Sequence, residues 1–359
     1  CRRISSTINN LTKDIFNSKM KIIIPMAGRG SRLRPHTLTT PKPLIPIAGK
    51  PIVHRLVEDI AKVSSEPIEE IVFVIGDFGD EVEKDLISIA EKLGAIGTIR
   101  HQLEPLGTAH SIWMAKEALD GPTVVAYADT LFRADFKLDM ESDGVVWVKQ
   151  VDNPSAFGVV KLDENEIITD FVEKPKEFVS DLAIIGIYFF RDGQKLYKEI
   201  EYLIENDIQK GGEYQLTDAL ENMRAAGDKF KLGKVDEWMD CGNKAVTVDT
   251  NTRVLNLDKE DFAGVSNSAT IENSLIIEPC FIGENVVIKN SKIGPFVSLG
   301  NGTVVENSNI DNSLIQENST IINANLTDTM IGNHAKYYGV SRSISLGDYS
   351  ELDFKSHEA

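Results

Sequence analysis

The stretch from Pro25 to Pro51 combines glycines with fixed cations. Gly28 and Gly30 allow backbone N–H groups to approach a polyphosphate, because no Cβ stands in the way. The cations around them are Arg29, Arg32, Arg34 and Lys42. An apolar, β-branched run at 21–24 comes directly before and predicts a buried strand. This pattern predicts a nucleoside triphosphate site, and we call the stretch 25–51 the phosphate loop.

Two better-known phosphate-binding patterns are excluded. The dinucleotide pattern G-x-G-x-x-G requires glycine at position 33, where the chain has Leu33. The Walker pattern requires Ser or Thr after Gly49-Lys50, where the chain has Pro51, and a glycine in place of Leu44. An ordinary surface turn remains the alternative for the glycines taken alone.

The second half of the phosphate loop favours the phosphate site over the turn. Pro41, Pro43 and Pro46 fix the backbone φ angle at three places around Lys42. A lysine on a stiffened backbone suits a point charge directed at a phosphate.

These residues resemble the signature of the sugar nucleotidyltransferases, enzymes that make nucleoside-diphosphate sugars from a nucleoside triphosphate and a sugar 1-phosphate. The family signature is a glycine-rich loop ending in G-T-R-L-x-P, followed by P-K-P-[LM]. The chain has G-S-R-L-R-P at 30–35 and P-K-P-L at 41–44. Ala27 and Ser31 replace a usual glycine and a usual threonine, and both are small.

The resemblance implies roles for the residues of the phosphate loop. Ala27, Gly28, Gly30 and Ser31 would bind the nucleotide. As catalytic residues, Arg32 would hold the leaving pyrophosphate and Lys42 the reacting phosphates.

A second loop, QLEPLGTAHS at 102–111, resembles the family's Q-x-x-P-x-G base-reading loop. The resemblance implies that Gln102 offers its amide to the edge of the base and that Gly107 makes a backbone contact. It also implies that Thr108 belongs to the same nucleotide site. For Thr108 a helix cap is an equally good interpretation.

Two aspartates stand where the family holds Mg²⁺ on the phosphates: Asp129, after the strand predicted at 123–128, and Asp240. Carboxylate oxygens are ligands that Mg²⁺ prefers, with waters completing its shell. Either aspartate alone is more typical of a helix cap or a surface acid.

The resemblance also implies a sugar-phosphate site. Gly158 would offer a backbone N–H to a sugar hydroxyl, Glu173 would accept from hydroxyls, and Lys174 would pair with the sugar phosphate. Ile185, in a mostly apolar core segment, is assigned only a weak contact. The segment 212–218, GEYQLTD, could shape the sugar pocket, but serving a helix dipole is the favoured interpretation.

Strand and helix patterns alternate over the first two thirds of the chain. Strands are predicted at 71–75, 98–102 and 123–128, and helices at 80–93 and 109–119. We therefore expect an α/β fold, a Rossmann-like mixed and mostly parallel sheet with helices on both faces. Ligands then bind at the carboxyl ends of the strands.

The last hundred residues repeat. Asn273, Asn290 and Asn307 each begin an N-S-x-I segment, and aliphatic residues return every five or six positions. They are Ile271, Ile277, Ile282, Ile288, Ile293, Leu299, Val305, Ile310, Ile315, Ile321, Leu326 and Ile331. This spacing predicts a three-sided β-solenoid and resembles the left-handed parallel β-helix of hexapeptide-repeat proteins.

Four segments are expected: an N-terminal extension at 1–19 with no signal-peptide pattern, a nucleotidyltransferase domain at 20–257, the β-helix at 265–335, and a cap or tail at 336–359. The formal net charge of −17 argues against a nucleic-acid partner. No apolar run approaches the ~18 residues that span a bilayer. Three cysteines without metal-type spacing favour a reduced, cytoplasmic location.

The expected function is Mg²⁺-dependent transfer of a nucleotidyl group from a nucleoside triphosphate to a sugar 1-phosphate, with release of pyrophosphate, in a homo-oligomer. The Q-x-x-P-L-G-T-A-H loop is more similar to uridylyl- and thymidylyltransferases, which suggests UDP- or dTDP-glucose. A hexapeptide-repeat acyltransferase is the alternative of another class, although its candidate histidine, His334, lies at the end of the repeats. A further alternative is a regulatory homologue that binds sugar nucleotide without turnover.

Overall fold

The computed structural model describes residues 19–28, 30–135, 137–259, 264–339 and 344–353. The predicted N-terminal extension lies outside these residues, apart from Lys19. The chain divides into two compact units, one formed by Cys1–Gly28 and Leu56–Trp238, the other by Arg29–Arg55 and Met239–Ala359. The predicted boundary at 257 stays a prediction.

The helices of the described residues are α1 (Ile52–Val63), α2 (Asp80–Lys92), α3 (Thr108–Trp113), α4 (Gly193–Glu205), α5 (Leu216–Ala225) and α6 (Lys244–Leu257). Strands up to α6 are β1 (Met20–Pro25), β2 (Pro46–Ile47), β3 (Lys50–Pro51), β4 (Ile68–Ile75), β5 (Ile96–His101), β6 (Thr123–Ala126), β7 (Thr130–Arg133), β8 (Gly144–Gln150), β9 (Gly158–Leu162), β10 (Ile168–Glu173), β11 (Leu182–Phe190), β12 (Phe230–Lys234) and β13 (Glu237–Asp240). Short 3₁₀ turns cover Ser31–Leu33, His36–Leu38, Lys42–Leu44, Lys116–Ala118 and Pro154–Ala156.

The first unit is built on one mixed sheet, as the sequence predicted. Its strand order is β10-β9-β11-β6-β1-β4-β5, with β8 beside β11 and β12 beside β8. The β1, β4, β5 and β6 strands run parallel, whereas β11 pairs antiparallel with β6 and β8. Ile22, Ile23 and Ile24 of β1 are fully buried, as a central strand covered on both faces requires.

Several element boundaries differ from prediction. β4 begins at Ile68 and not at 71, β5 is Ile96–His101 and not 98–102, and β6 ends at Ala126 and not at 128. The predicted helix 109–119 ends at Trp113, because the backbone leaves helical geometry at Ala115, with φ −109° and ψ 25°. A 3₁₀ turn at Lys116–Ala118 completes the segment. No helix of the described chain is long and apolar enough to cross a membrane.

The C-terminal part of the second unit is a parallel β-helix, consistent with the left-handed form that the sequence predicted. Its strands are β14 (Thr270–Glu272), β15 (Leu275–Ile276), β16 (Cys280–Ile282), β17 (Val287–Lys289), β18 (Lys292–Ile293), β19 (Val297–Leu299), β20 (Val304–Glu306), β21 (Asn309–Ile310), β22 (Ser313–Ile315), β23 (Thr320–Ile322), β24 (Asn325–Leu326), β25 (Thr329–Ile331), β26 (Lys336–Tyr338), β27 (Ser345–Leu346) and β28 (Glu351–Asp353). They form three parallel sheets, β14-β17-β20-β23-β26-β28, β15-β18-β21-β24 and β16-β19-β22-β25-β27.

The corners and core of the β-helix follow the repeat. Asn273, Asn290, Asn307 and Asn323 stand at one corner with φ between 46° and 56°, a left-handed conformation that asparagine tolerates well. The predicted aliphatic positions from Ile282 to Ile331 are all buried in one core. At the first coil the register differs from prediction by one residue. Ile276 pairs with Ile293 and packs against the core, so Ile276 and not Ile277 occupies the inward position.

The coils shorten along the chain. Pairing partners are 17 residues apart at Val287–Val304, 16 apart at Val304–Thr320 and 15 apart at Lys336–Glu351. The β-helix therefore continues to Asp353 with shorter coils, although the sequence repeat fades after about residue 335.

Candidate functional site

Two parts of the phosphate loop, around Gly30 and around Lys42, lie side by side in the second unit. Gly30 has a left-handed φ of 59°, and a Cβ added to it would stand 3.0 Å from Lys42 Cβ and 3.1 Å from Thr37 Cγ2. The Thr37 hydroxyl donates to the Gly30 carbonyl at 2.8 Å. Lys42 is only 7% exposed. A side chain at position 30 would displace this lysine, so the glycine is required by close packing as well as by φ.

Ser31 and Arg32 follow Gly30 directly and belong to the 3₁₀ turn Ser31–Leu33. Leu33 is buried and fixes this turn to the second unit, whereas the side chains of Ser31 and Arg32 are exposed. The arginine is thus in reach of a ligand in solution, as a pyrophosphate-binding residue must be.

His36, a residue the sequence did not single out, is fully buried in the second unit. Its Nε2 lies 2.9 Å from Ser345 Oγ, and its Nδ1 has no hydrogen-bond partner among the described residues. Burial lowers the pKa of His36 from 6.5 to about 4, with Lys244 acting in the same direction and Asp348 opposing.

This pKa predicts acid sensitivity of the fold. Above pH 6.5 His36 is neutral in the folded and unfolded chains and has no effect; below it, only the unfolded chain takes up the proton. The free energy of unfolding should therefore fall by up to about 3 kcal/mol between pH 6.5 and pH 4. Urea unfolding at several pH values measures this, and His36→Gln should flatten the fall. His334→Gln, at an exposed histidine, is the control and should leave it unchanged.

Asp240 ends β13 in the second unit, half-buried. A Cβ on Gly242 would stand 2.8 Å from Asp240 Oδ2, so the carboxylate occupies the space that this glycine leaves. The Thr250 hydroxyl donates to the Asp240 carbonyl at 2.8 Å. Asn243 caps α6 by accepting from Ala245 N–H at 3.0 Å. The local turn therefore fixes where the carboxylate points.

Ala27 and Gly28 follow β1 in the first unit. The Met26 N–H donates to the Val74 carbonyl at 2.8 Å, which carries the pairing of β1 with β4 one residue beyond the strand. A Cβ on Gly28 would meet no atom within 4 Å. Because the described residues leave open space there, the glycine backbone is accessible to a ligand.

The amide orientation of Gln102 is determined by its neighbours. Gln102 Nε2 donates to the Gly107 carbonyl at 3.1 Å and lies 3.0 Å from His110 Nδ1. A carbonyl accepts only from the amide nitrogen, so the second N–H of Nε2 is directed at His110 Nδ1. Burial lowers the pKa of His110, and the charge of Glu104 acts in the opposite direction. A lowered pKa favours the neutral ring, in which Nδ1 can accept a hydrogen bond. Gln102 Oε1 has no donor among the described residues and is the atom offered to a ligand.

Gly107 and Thr108 join this loop to the segment 212–218. A Cβ on Gly107, whose φ is 104°, would stand 2.6 Å from the Tyr214 carbonyl. The Tyr214 carbonyl accepts from Ala109 N–H at 3.0 Å, and the Thr108 hydroxyl accepts from Leu216 N–H at 3.0 Å. Tyr214 and Leu216 thus hold the loop 102–111, a contact that sequence patterns did not reveal.

Tyr127 is a residue of the first unit that the sequence did not single out. Its hydroxyl is hydrogen-bonded to Thr108, and burial raises its pKa, with the charges of Glu173 and Asp129 acting in the same direction. Its N–H donates to the Gly186 carbonyl at 2.9 Å. Tyr127 therefore links Thr108 of the predicted nucleotide site to Gly186 on β11.

The predicted sugar residues form a second cluster on β9, β10 and α5. Gly158 pairs with Glu173, and a Cβ on Gly158 would stand 3.0 Å from Glu173 Oε2. The Thr217 hydroxyl donates to the same oxygen at 3.4 Å. Lys174 has φ 40° and directs its ammonium to 3.4 Å from Glu173 Oε1, with most of the side chain exposed. The pair presents one acid and one cation to solvent.

Ile185 differs from the other predicted sugar residues because its side chain is buried, with 2% exposed. Its carbonyl accepts from the Thr130 hydroxyl at 2.9 Å. Gly186, with φ 85°, packs against the Tyr127 ring. In the described structure Ile185 supports the position of the Asp129 turn.

Known proteins share this architecture. The family described as nucleotidyl transferase matches residues 21–256. The bifunctional protein GlmU of Methanococcus vannielii is 33% identical over 267 residues, 72% of this chain and 61% of that protein. The mannose-1-phosphate guanylyltransferase catalytic subunit beta of Drosophila melanogaster is 36% identical over 179 residues, 47% of this chain and 48% of that protein.

A solved structure supports the same assignment. A protein described as a glucose-1-phosphate thymidylyltransferase from Bacillus anthracis superposes with a TM-score of 0.57 at 25% identity, over 68% of this chain and 97% of that chain. The chain spans about 60% of the length of the GlmU relatives. The match over residues 21–256 shows that the chain belongs to the nucleotidyl transferase family.

Proposed function

We propose that the chain transfers a nucleotidyl group from a nucleoside triphosphate to a sugar 1-phosphate and releases pyrophosphate. The observation that carries this proposal is that two consecutive residues of α5 join the predicted base and sugar sites. The Leu216 N–H donates to the Thr108 hydroxyl at 3.0 Å, and the Thr217 hydroxyl donates to Glu173 Oε2 at 3.4 Å. The resemblance assigns Thr108 to the nucleotide and Glu173 to the sugar, and a nucleotidyl transfer site requires both substrates to lie together.

The reaction requires no protein nucleophile. An oxygen of the sugar phosphate is already anionic and attacks the α-phosphorus in line, and the pyrophosphate oxygen leaves with the bond electrons. The protein must align two anions that repel each other and stabilise charge on the phosphorus. In our proposal Lys174 binds the sugar phosphate, Lys42 the reacting phosphates and Arg32 the leaving pyrophosphate.

Asp129 and Asp240 are the proposed Mg²⁺ ligands, by resemblance to the family. The residues present fit this ion, since both are carboxylates and Mg²⁺ is commonly held by one or two carboxylates together with phosphates and water. No group of three or more potential ligands among His, Cys, Asp and Glu occurs in the described residues, which is compatible with a site completed by substrate. When bound, the ion supplies neutralisation of phosphate charge.

The orientation of Gln102 suggests which bases are accepted. Because Oε1 is the atom offered, a base that presents an N–H at that point forms a hydrogen bond, as uracil, thymine and guanine can. Cytosine and adenine present an unprotonated ring nitrogen there. Two hydrogen-bond acceptors, Gln102 Oε1 and this nitrogen, then face each other, at a cost of about 1–3 kcal/mol. UDP- or dTDP-glucose formation, as the loop sequence suggested, agrees with this selectivity.

A substrate panel tests the proposal. Five nucleoside triphosphates are crossed with several sugar 1-phosphates in the presence of Mg²⁺, and pyrophosphate release is measured. We expect kcat/KM for UTP or dTTP to exceed that for CTP and ATP by at least ~10-fold. Gln102→Leu should reduce this ratio, whereas Gln150→Leu, at an exposed glutamine bonded to Asp181, should preserve it.

Two outcomes of the panel would contradict the proposal. Binding of sugar nucleotide without any pyrophosphate release would favour the regulatory homologue. Equal rates with UTP and CTP would show that Gln102 does not read the base. A homo-oligomer and a cytoplasmic location remain proposals, which light scattering and cell fractionation can test.

A further inference from the structure

The phosphate loop is attached to the last coil of the β-helix, within the second unit. Thr39 and Thr40 both donate their hydroxyls to Asp348 Oδ2, the second at 3.2 Å. Pro35 packs closely on Gly347, where an added Cβ would stand 2.9 Å from Pro35 Cβ. Together with the pairing of His36 and Ser345, these contacts join residues about 310 positions apart in the sequence.

Asp348 is itself fixed by the β-helix. Its Oδ1 accepts from the Asn333 N–H at 2.7 Å, one coil earlier. A Cβ on Gly332 would stand 2.4 Å from the same oxygen, so this close approach depends on a glycine. The carboxylate therefore holds the threonines with one oxygen and the β-helix with the other.

The far end of the phosphate loop has a second attachment. Asn251 on α6 accepts with one oxygen from both the Ala48 N–H, at 3.0 Å, and the Ser298 hydroxyl, at 2.7 Å. Gly49 lies against the ring of Phe281, leaving no room for a Cβ. Ser298 and Phe281 belong to β19 and β16, in the same sheet as Ser345. One face of the β-helix thus contacts the phosphate loop on both sides of Lys42.

We propose that the last coil of the β-helix positions Lys42 for phosphate binding and that Asp348 is the positioning residue. Thr40 stands two residues before Lys42, and Thr39 and Thr40 lie between the 3₁₀ turns at 36–38 and 42–44. Holding this short connection removes conformations in which the ammonium points away from the phosphates. Such preorganisation strengthens phosphate binding in the ground state and more so in the transition state, so its loss lowers both the affinity for phosphates and kcat. The inference rests on the proposed function.

The test compares Asp348→Ala with Asp311→Ala. Asp311 also accepts a threonine hydroxyl, from Thr327 at 2.5 Å, but both of these residues belong to the β-helix and neither is hydrogen-bonded to a described residue of the phosphate loop. We expect Asp348→Ala to lower kcat by about 10- to 50-fold with little change in KM for the sugar 1-phosphate. Asp311→Ala should retain the wild-type kcat. Asp348→Asn, which keeps one acceptor, should recover part of the loss.

A variant on the loop side separates positioning from general damage to the last coil. Thr39→Val with Thr40→Val removes both donors without touching the β-helix. Combined with Asp348→Ala, it should be scarcely worse than Asp348→Ala alone, because the two changes break the same link. Independent, multiplying losses would overturn the proposal, as would an unchanged kcat in Asp348→Ala or an equal loss in Asp311→Ala.

A binding measurement decides the inference even if the proposed function is wrong. Calorimetry with inorganic tripolyphosphate should show about 5-fold weaker binding to Asp348→Ala than to the wild type or Asp311→Ala. If the wild-type protein releases no pyrophosphate but this difference is found, the proposed function fails and the positioning role stands. Equal tripolyphosphate binding in all three proteins removes the positioning role alone.

Discussion

Replacing Lys42 with methionine should lower kcat by about 10² or more and leave the melting temperature close to that of the wild type. Lys42 is 7% exposed and lies against Gly30, so its charge acts in a site from which most water is excluded. Methionine keeps the aliphatic stem that packs on this glycine and removes only the ammonium. Pyrophosphate release and a thermal melt measure the two quantities.

Lys50→Met is the matched control for this charge. Lys50 lies in the same loop, on β3, and has no assigned role in phosphate binding. We therefore expect Lys50→Met to keep at least half of the wild-type turnover. Lys42→Arg should stay impaired, because the planar guanidinium does not replace a compact ammonium in a close-packed site. An active Lys42→Met enzyme would falsify the assignment of Lys42 to the reacting phosphates.

Changing Asp129 or Asp240 to asparagine should each lower turnover by roughly 10² to 10⁴ while the fold survives. Each change removes one charged ligand from the proposed Mg²⁺ site and keeps the shape of the side chain. If the two act as one unit, the double variant should be scarcely worse than the worse single variant. The rates of all four proteins, each with a Mg²⁺ titration, provide the measurement.

The titration separates a metal role from damage to the fold. The single variants should require more Mg²⁺ for half-maximal rate, and the half-buried Asp311 of the β-helix supplies the control substitution. Losses that multiply in the double variant, or full wild-type activity in excess chelator, would show that the two aspartates do not share a catalytic ion.

The general architecture was predictable because it depends on local patterns. Alternating strand and helix signals predicted the mixed sheet, and recurring aliphatic residues with asparagine corners predicted the β-helix. The signature residues around Gly30 and Lys42 predicted the family, which the match over residues 21–256 confirms. These features need only neighbours in sequence, so one sequence was enough to find them.

The unpredicted features all depend on contacts between distant residues. Tyr127 had no motif, and its hydrogen bond to Thr108 depends on how strands and loops assemble. The amide orientation of Gln102 required the position of the Gly107 carbonyl. The sequence repeat fades after residue 335, where the separation of pairing partners falls from 16 residues, at Thr320–Lys336, to 15, at Lys336–Glu351. This shortening shifts the phase of the pattern without ending the β-helix.

The discontinuity of the second unit has a consequence for the order of folding. Its first piece, Arg29–Arg55, is synthesised early, but the residues against which it packs belong to Met239–Ala359. The link from His36 to Ser345 spans 309 positions, and contacts of such separation close a long loop and form slowly. A growing chain emerges at about 5–20 residues per second. On the order of half a minute therefore passes between the synthesis of the phosphate loop and the synthesis of the last coil that it contacts. We therefore expect phosphate-binding competence to emerge only when the last coil has been made.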